Sequence, residues 1–209
     1  MRYIIEHLDK KLYTWCFLEY KHAASVVGKE KVIFTNVHCP ASQAKLSEFG
    51  AVFGTSVCKI VSDTNAEGLK DIKEILSKKI CVLDPFAEKT LVSDDRRNFD
   101  VLIFGGIMGD YPPQKRTGGF CDRLKERGIK FETRNLGKEQ MSTDTAVIVA
   151  NKIVADGEKL ENMKFKDTII IPICKGEEVE LPFRYLLDEK NEPMLPPGLV
   201  EFLKKMKGF

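Results

Sequence analysis

Short, unbroken apolar runs alternate with longer stretches of mixed polarity along most of the chain. "RYIIEH", "KVIFTNV", "KICVLDP" and "FDVLIFGG" are dense in Val, Ile, Leu and Phe and predict strands, most of them buried on both faces. "TSVCKIVS" predicts a third strand after the second, and "IKFETRNLG" a last parallel one. Between them, "KKLYTWCFLEYKHAASVVG" predicts a helix stopped by Gly28, and a short helical piece leads to Gly50. "NAEGLKDIKEILSKK", "RTGGFCDRLKERG" and "STDTAVIVANKIVADG" predict further helices. Strands alternating with helices imply an α/β fold, a parallel sheet flanked by helices, over residues 1–158. From Lys159 the pattern changes. "TIIIPICKG" and "EVELPFRYLLDEKNEPMLP" predict strands joined by turns, and "GLVEFLKKMK" a short basic helix. Residues 159–209 thus form a mixed β/α C-terminal extension, packed on the first domain as one structural unit.

Composition narrows the classes. A chain of 209 residues can bury one sizeable core, and 43% hydrophobic with 31% charged residues is ordinary for a soluble globular protein. No apolar run approaches the roughly 18 residues of a membrane span, and "MRYIIEHLDKK" does not read as a signal peptide. The six cysteines (16, 39, 58, 81, 121 and 174) are dispersed and form no CxxC pair, which suits reduced thiols and a cytoplasmic protein. Neither they nor the three histidines cluster, so no metal is expected. A net charge of +2 permits nucleic-acid contact without arguing for it.

Two polar loops interrupt the apolar pattern. "FGGIMGDYPPQKRT" leaves the end of a buried strand, where open α/β sheets bind ligands. Its G-G-x-x-G spacing is not a dinucleotide fingerprint, and no Gly-Lys-Ser/Thr ending makes it a P-loop. Either its glycines let backbone approach a ligand or they form a tight turn. "LGKEQMSTDTA" ends the next strand and enters a helix at Ser142 or Thr143, with Asp144 in its first turn. That helix is apolar on most sides, an unusual setting for so polar an entrance. Loops at the ends of buried strands, with "VLDP" as a third wall, predict one crevice.

Together these segments resemble the SPOUT class of S-adenosylmethionine-dependent methyltransferases. "YIIEH", "LEY", "LDP", "GDYPPQKRT", "QMSTDTA" and "PFRYLLDEKNEPMLPPG" are similar, more narrowly, to its branch of protein-arginine methyltransferases, which modify a small-subunit ribosomal protein. The resemblance implies a deep trefoil knot in the C-terminal half of the sheet domain and S-adenosyl-L-methionine as cofactor. It implies that Gly105, Gly106 and Gly109 lie along that cofactor, and that Leu83, Leu136, Gly137, Met141 and Thr145 line its adenine and methionine ends. Arg116 either steadies the cofactor carboxylate or only opens a helix. A small-subunit ribosomal protein is the implied substrate, with contact to rRNA possible. Methylation of rRNA or tRNA and a non-catalytic role in ribosome assembly are the alternatives. A monomer is expected over a homodimer, because the C-terminal strands could cover the surface through which SPOUT proteins pair.

An arginine acceptor needs carboxylates that hold its charged fork and take a proton. Three acids are candidates. Asp110 follows the glycines and either faces the acceptor or caps the Pro-Pro turn. Glu19 interrupts an apolar stripe of Leu12, Trp15, Cys16, Ala23, Val26 and Val27, so it must find a partner on folding, for instance Arg184. Glu6 ends the first strand beside His7 and is either catalytic or a solvated strand-end residue.

Overall fold

The computed structural model describes residues 1–62, 69–107, 116–174 and 177–206. Its centre is a six-stranded sheet built from β1 (Arg2–His7), β2 (Val32–Thr35), β3 (Ala51–Val52), β4 (Ile80–Leu83), β5 (Val101–Gly106) and β6 (Phe131–Arg134). The order is β3-β2-β1-β5-β4-β6, and every pair is parallel. Alternate residues of these strands feed two cores, as a sheet covered on both faces requires. Tyr3, Ile5, Phe34, Leu102 and Phe104 face α1 (Thr14–Val27), α2 (Pro40–Leu46) and α7 (Thr143–Asn151). Ile4, Ile33, Val82, Val101 and Ile103 face α3 (Val57–Ser62), α4 (Lys70–Leu76) and α6 (Arg116–Glu126). A four-residue helix, α5 (Asp95–Asn98), precedes β5.

α1 begins at Thr14 and ends as its sequence predicts, with Gly28 at φ 96 returning its N–H to Ala24. The segment expected as a third strand, 55–62, is instead helical from Val57, and the third strand is only Ala51–Val52. β-branched composition hides a helical period there. Val57 and Ile60, three apart, both reach the second core, and the first turn is anchored because Val57 N donates to the buried Glu6 carboxylate (3.1 Å).

After α7 the chain makes one π-helical turn, Lys152–Asp156, and turns at Gly157. β7 (Phe165–Cys174) and β8 (Glu177–Leu186) then form an antiparallel pair, followed by α8 (Leu199–Lys205). Ile169, Ile171, Leu181, Phe183 and Tyr185 make a third core with α8, against which Trp15 and Leu18 of α1 also pack. The pair joins the main body where Arg184 N donates to Gln140 O (2.8 Å). Among the described residues no helix is long and apolar enough to cross a membrane.

Candidate active site

The carboxyl ends of β4 and β5, the loop after β6 and the facing sides of α1 and α7 enclose a cavity. Its empty space, about 760 Å³, is continuous with solvent. Leu83, Phe104, Leu136, Met141 and Ala146 give it apolar walls, and Glu19, Asp84, Glu139, Ser142 and Thr143 its polar ones. Gly105 forms part of the rim, where an added Cβ would stand 3.2 Å from both Leu8 Cδ1 and Thr117 Oγ1. Gly137 turns the loop after β6 at φ 99, which a side chain would strain. A second hollow shares Asp84, Ile107, Thr117, Glu139 and Phe183 with the first and extends to the Asp167–Arg184 pair.

Glu19 is the most buried acid of the cavity, 4% exposed. Its partner is not Arg184, whose guanidinium engages Asp167 through two bonds of 2.6 and 2.9 Å. Instead Trp15 Nε1 donates to Glu19 Oε1 (2.8 Å) and Thr143 N donates to Oε2 (3.3 Å). Among the described residues no cation offsets the desolvation. Burial, and then the charge of Asp144, hold the Glu19 carboxyl well above the ordinary glutamate range, against the pull of those two bonds.

Glu6 lies on the other face of the sheet. It accepts from Thr35 Oγ1 (2.5 Å), from Val57 N and from Ser56 Oγ, so it is neither solvated nor open to a ligand. Burial raises its pKa and these bonds oppose the rise. Gly106 and Gly105 face opposite sides of their strand. A Cβ at Gly106 would overlap the Tyr20 hydroxyl and come within 2.8 Å of Ile5 Cγ2, so the glycine gives α1 room to pack on β5. Arg116, the first residue of α6, pairs with Asp9 Oδ1 (2.6 Å). Thr145 is buried in the first turn of α7, 2.8 Å from Ser142 Oγ. Of the residues singled out in the sequence, Glu19, Leu83, Gly105, Leu136, Gly137 and Met141 meet in the cavity. Glu6, Gly106, Arg116 and Thr145 stand outside its walls, and Gly109 and Asp110 lie outside the described residues.

Two features escape sequence reasoning. Asp144, in the first turn of α7 as expected, is fully buried: it meets His22 Nδ1 at 2.6 Å and accepts from Ser142 Oγ at 2.6 Å. The tyrosine hydroxyl of Tyr185 is buried with no hydrogen-bond partner among the described residues. The only signal for the first was the spacing of Glu19 and His22, three residues apart on one helix face. His7 is also buried, with Nδ1 2.9 Å from Tyr20 Oη and Nε2 unpartnered among the described residues.

Known proteins match this chain over nearly its whole length. Residues 2–208 fit the family model described as protein arginine N-methyltransferase SFM1-like. The chain is 34% identical to protein arginine N-methyltransferase SFM1 of Saccharomyces cerevisiae, over 98% of this chain and 95% of that protein. Crystal structures of the yeast enzyme superpose on it, in complex with SAH at TM-score 0.83 (32% identity, 97% of this chain and 94% of that one) and with SAM at 0.81 (33%, 98% and 90%). The dual-specific Trm10 of Thermococcus kodakaraensis, 16% identical, covers 77% of this chain and 95% of its own at TM-score 0.58, a likeness of fold alone. A family model that spans nearly every residue, together with this identity to the yeast enzyme, places the chain in the SFM1-like family of protein arginine N-methyltransferases.

Proposed function

We propose that the protein transfers a methyl group from S-adenosylmethionine to an arginine side chain of a small-subunit ribosomal protein, with Glu19 taking the proton. The observation that carries this reading is a nearly buried carboxyl, without a cationic partner among the described residues, in the wall of a cavity at the strand ends. The cavity suits the cofactor: Leu83, Leu136, Met141 and Ala146 offer apolar walls to an adenine ring, and the 136–141 loop offers backbone. When bound, the cofactor supplies a methyl group on a positive sulfur, already activated for displacement.

The remaining work falls to the chain. A guanidinium enters charged, and the walls meet it with Glu19, Asp84 and Glu139, while the adjoining hollow adds Lys138 and an Arg184 already paired with Asp167. That balance suits a cationic acceptor better than a phosphate backbone. As the new N–C bond forms and the S–C bond breaks, the nitrogen sheds one proton, and Glu19 is placed to receive it. In this reading the C-terminal half of the sheet domain carries a trefoil knot, and β7, β8 and α8, by covering the Trp15 and Leu18 side of α1, keep the enzyme monomeric in the cytoplasm.

The test is labelled-methyl transfer from S-adenosylmethionine to small ribosomal subunits purified from cells lacking this enzyme. Label released by protease and recovered as methylarginine supports the reading. Label that leaves with nuclease-digested RNA, or cofactor binding without any turnover, overturns it.

A further inference from the structure

Behind the carboxyl assigned to proton transfer stands a second buried acid. Asp144 has no exposed surface, yet neither the cavity nor the proposed transfer uses it directly. It is held in place from both helices. His22 of α1 meets Oδ2 at 2.6 Å, and Ser142, at the entrance of α7, donates to Oδ1 at 2.6 Å. The residue between, Thr143, gives its backbone N–H to Glu19. One helix entrance therefore anchors both carboxyls, and Glu19 and His22, adjacent on α1, each face one of its residues.

We propose that Asp144, anchored by His22 and Ser142 next to the Thr143 N–H that holds Glu19, is a positioning residue for methyl transfer, coupled to Glu19 through the shared entrance of α7. The inference rests on the reading of Glu19 as the group that takes the proton. A carboxylate in water is a weak base, and a useful proton acceptor must be stronger. Desolvation supplies part of that strength, and a like charge nearby adds to it. The groups facing Glu19 are Trp15, Cys16 and Tyr20 from α1, Thr143 and Asp144 from α7, Tyr185 from β8, and Asp84 and Glu139 across the cavity. Those facing Asp144 are His22, Ser142, Glu19 and Tyr185. Of the acids, Asp144 is the fully buried one, and His22, 2.6 Å from its Oδ2, is the group beside it that can carry the opposite charge.

The protein carries its own probe. Trp15 is the sole tryptophan, and its indole N–H is bonded to Glu19. Its fluorescence, followed from pH 4 upward in the full chain without ligand, is expected to show a transition in the wild type that Glu19→Gln lacks. Asp144→Asn keeps the shape and the partners, and is expected to lower that midpoint by about 1 pH unit. Should the asparagine variant fail to fold, Asp144→Ser, which leaves room for a water on His22, reads the same shift. An unmoved midpoint, or a transition that survives Glu19→Gln, overturns the coupling. Methyl transfer by Glu19→Gln at the wild-type rate would refute Glu19 as acceptor instead, whatever the fluorescence shows.

Discussion

Trp15 and Glu19 stand one turn apart on α1, and the indole N–H of the first is bonded to the carboxyl of the second at 2.8 Å. The bond leaves Trp15 packed toward the C-terminal hairpin and Glu19 turned toward the cavity, so one helix turn joins the two. A glutamine keeps the size and one acceptor oxygen but cannot take a proton. Glu19→Gln is expected to slow methyl transfer by ~10²-fold or more while leaving S-adenosylhomocysteine affinity near that of the wild type. Single-turnover rates and calorimetry on the same preparation separate the two quantities.

The same substitution has a signature in stability. Glu19 binds its proton more tightly folded than unfolded, so its contribution is full below the ordinary glutamate value of 4.5 and is lost as pH rises through its own higher value. Urea midpoints of the wild type are therefore expected to fall relative to those of Glu19→Gln as pH climbs from that value toward neutrality. Parallel curves for the two proteins would contradict the assignment.

Gly106 should be intolerant for a packing reason. An alanine methyl would collide with the Tyr20 hydroxyl and with Ile5, and overpacking of this kind costs about 1–3 kcal/mol. Gly106→Ala is expected to lose that much in urea unfolding, and Tyr20→Phe in the same chain to restore part of it by removing the colliding oxygen. Additive losses would show that the two residues do not compete for space.

Ala146 lies on the cavity side of α7, where a larger apolar residue leaves the helix intact and takes up the room. Ala146→Leu is expected to weaken S-adenosylhomocysteine binding at least about tenfold, equivalent to ~1.4 kcal/mol, with helical circular dichroism unchanged. Undiminished affinity in calorimetry would move the cofactor out of this cavity.

Arg134 forks onto Asp95 with bonds of 3.0 and 3.1 Å and lies 4.8 Å from the centre of the Phe99 ring, tying α5 to β6. Burial alone would raise Asp95, but the bonds from Arg134, Asn98 and Val92 outweigh it and hold the carboxyl below its ordinary range. Its stabilising effect is present above the unfolded value of 3.8 and is lost as pH falls through the lower folded one. Arg134→Met strands a buried carboxylate and is expected to cost about 3–5 kcal/mol at neutral pH, with a smaller deficit in acid. Unfolding at several pH values checks both parts.

Much of this molecule was legible before any coordinates, because apolar runs that must be covered on both faces leave a dense signal. Ile4, Val82 and Ile103 could hardly belong to anything but a parallel sheet. The segment from Val57 misled because its helix is written in residues that favour strands and is anchored by Glu6, some fifty positions earlier. Gly105 and Gly106 read as one ligand loop, yet adjacent strand residues point to opposite faces, and only the first meets the cavity. Glu19 was conspicuous as an acid in an apolar stripe, but its partners came from a backbone N–H and an indole, which no charge pattern announces.

The place of β1 in the sheet carries a consequence for synthesis. One of its edges is closed by β2, soon after it in the chain, but the other waits for β5, since Arg2 pairs with Val101 and His7 with Gly106. At roughly 5–20 residues per second, that edge stays open for on the order of 5–20 s while the intervening chain is made. The face of α1 that meets α7 waits longer still. A nascent chain halted before residue 101 would expose a bare apolar strand edge, so the first strand translated depends longest on cellular protection from aggregation.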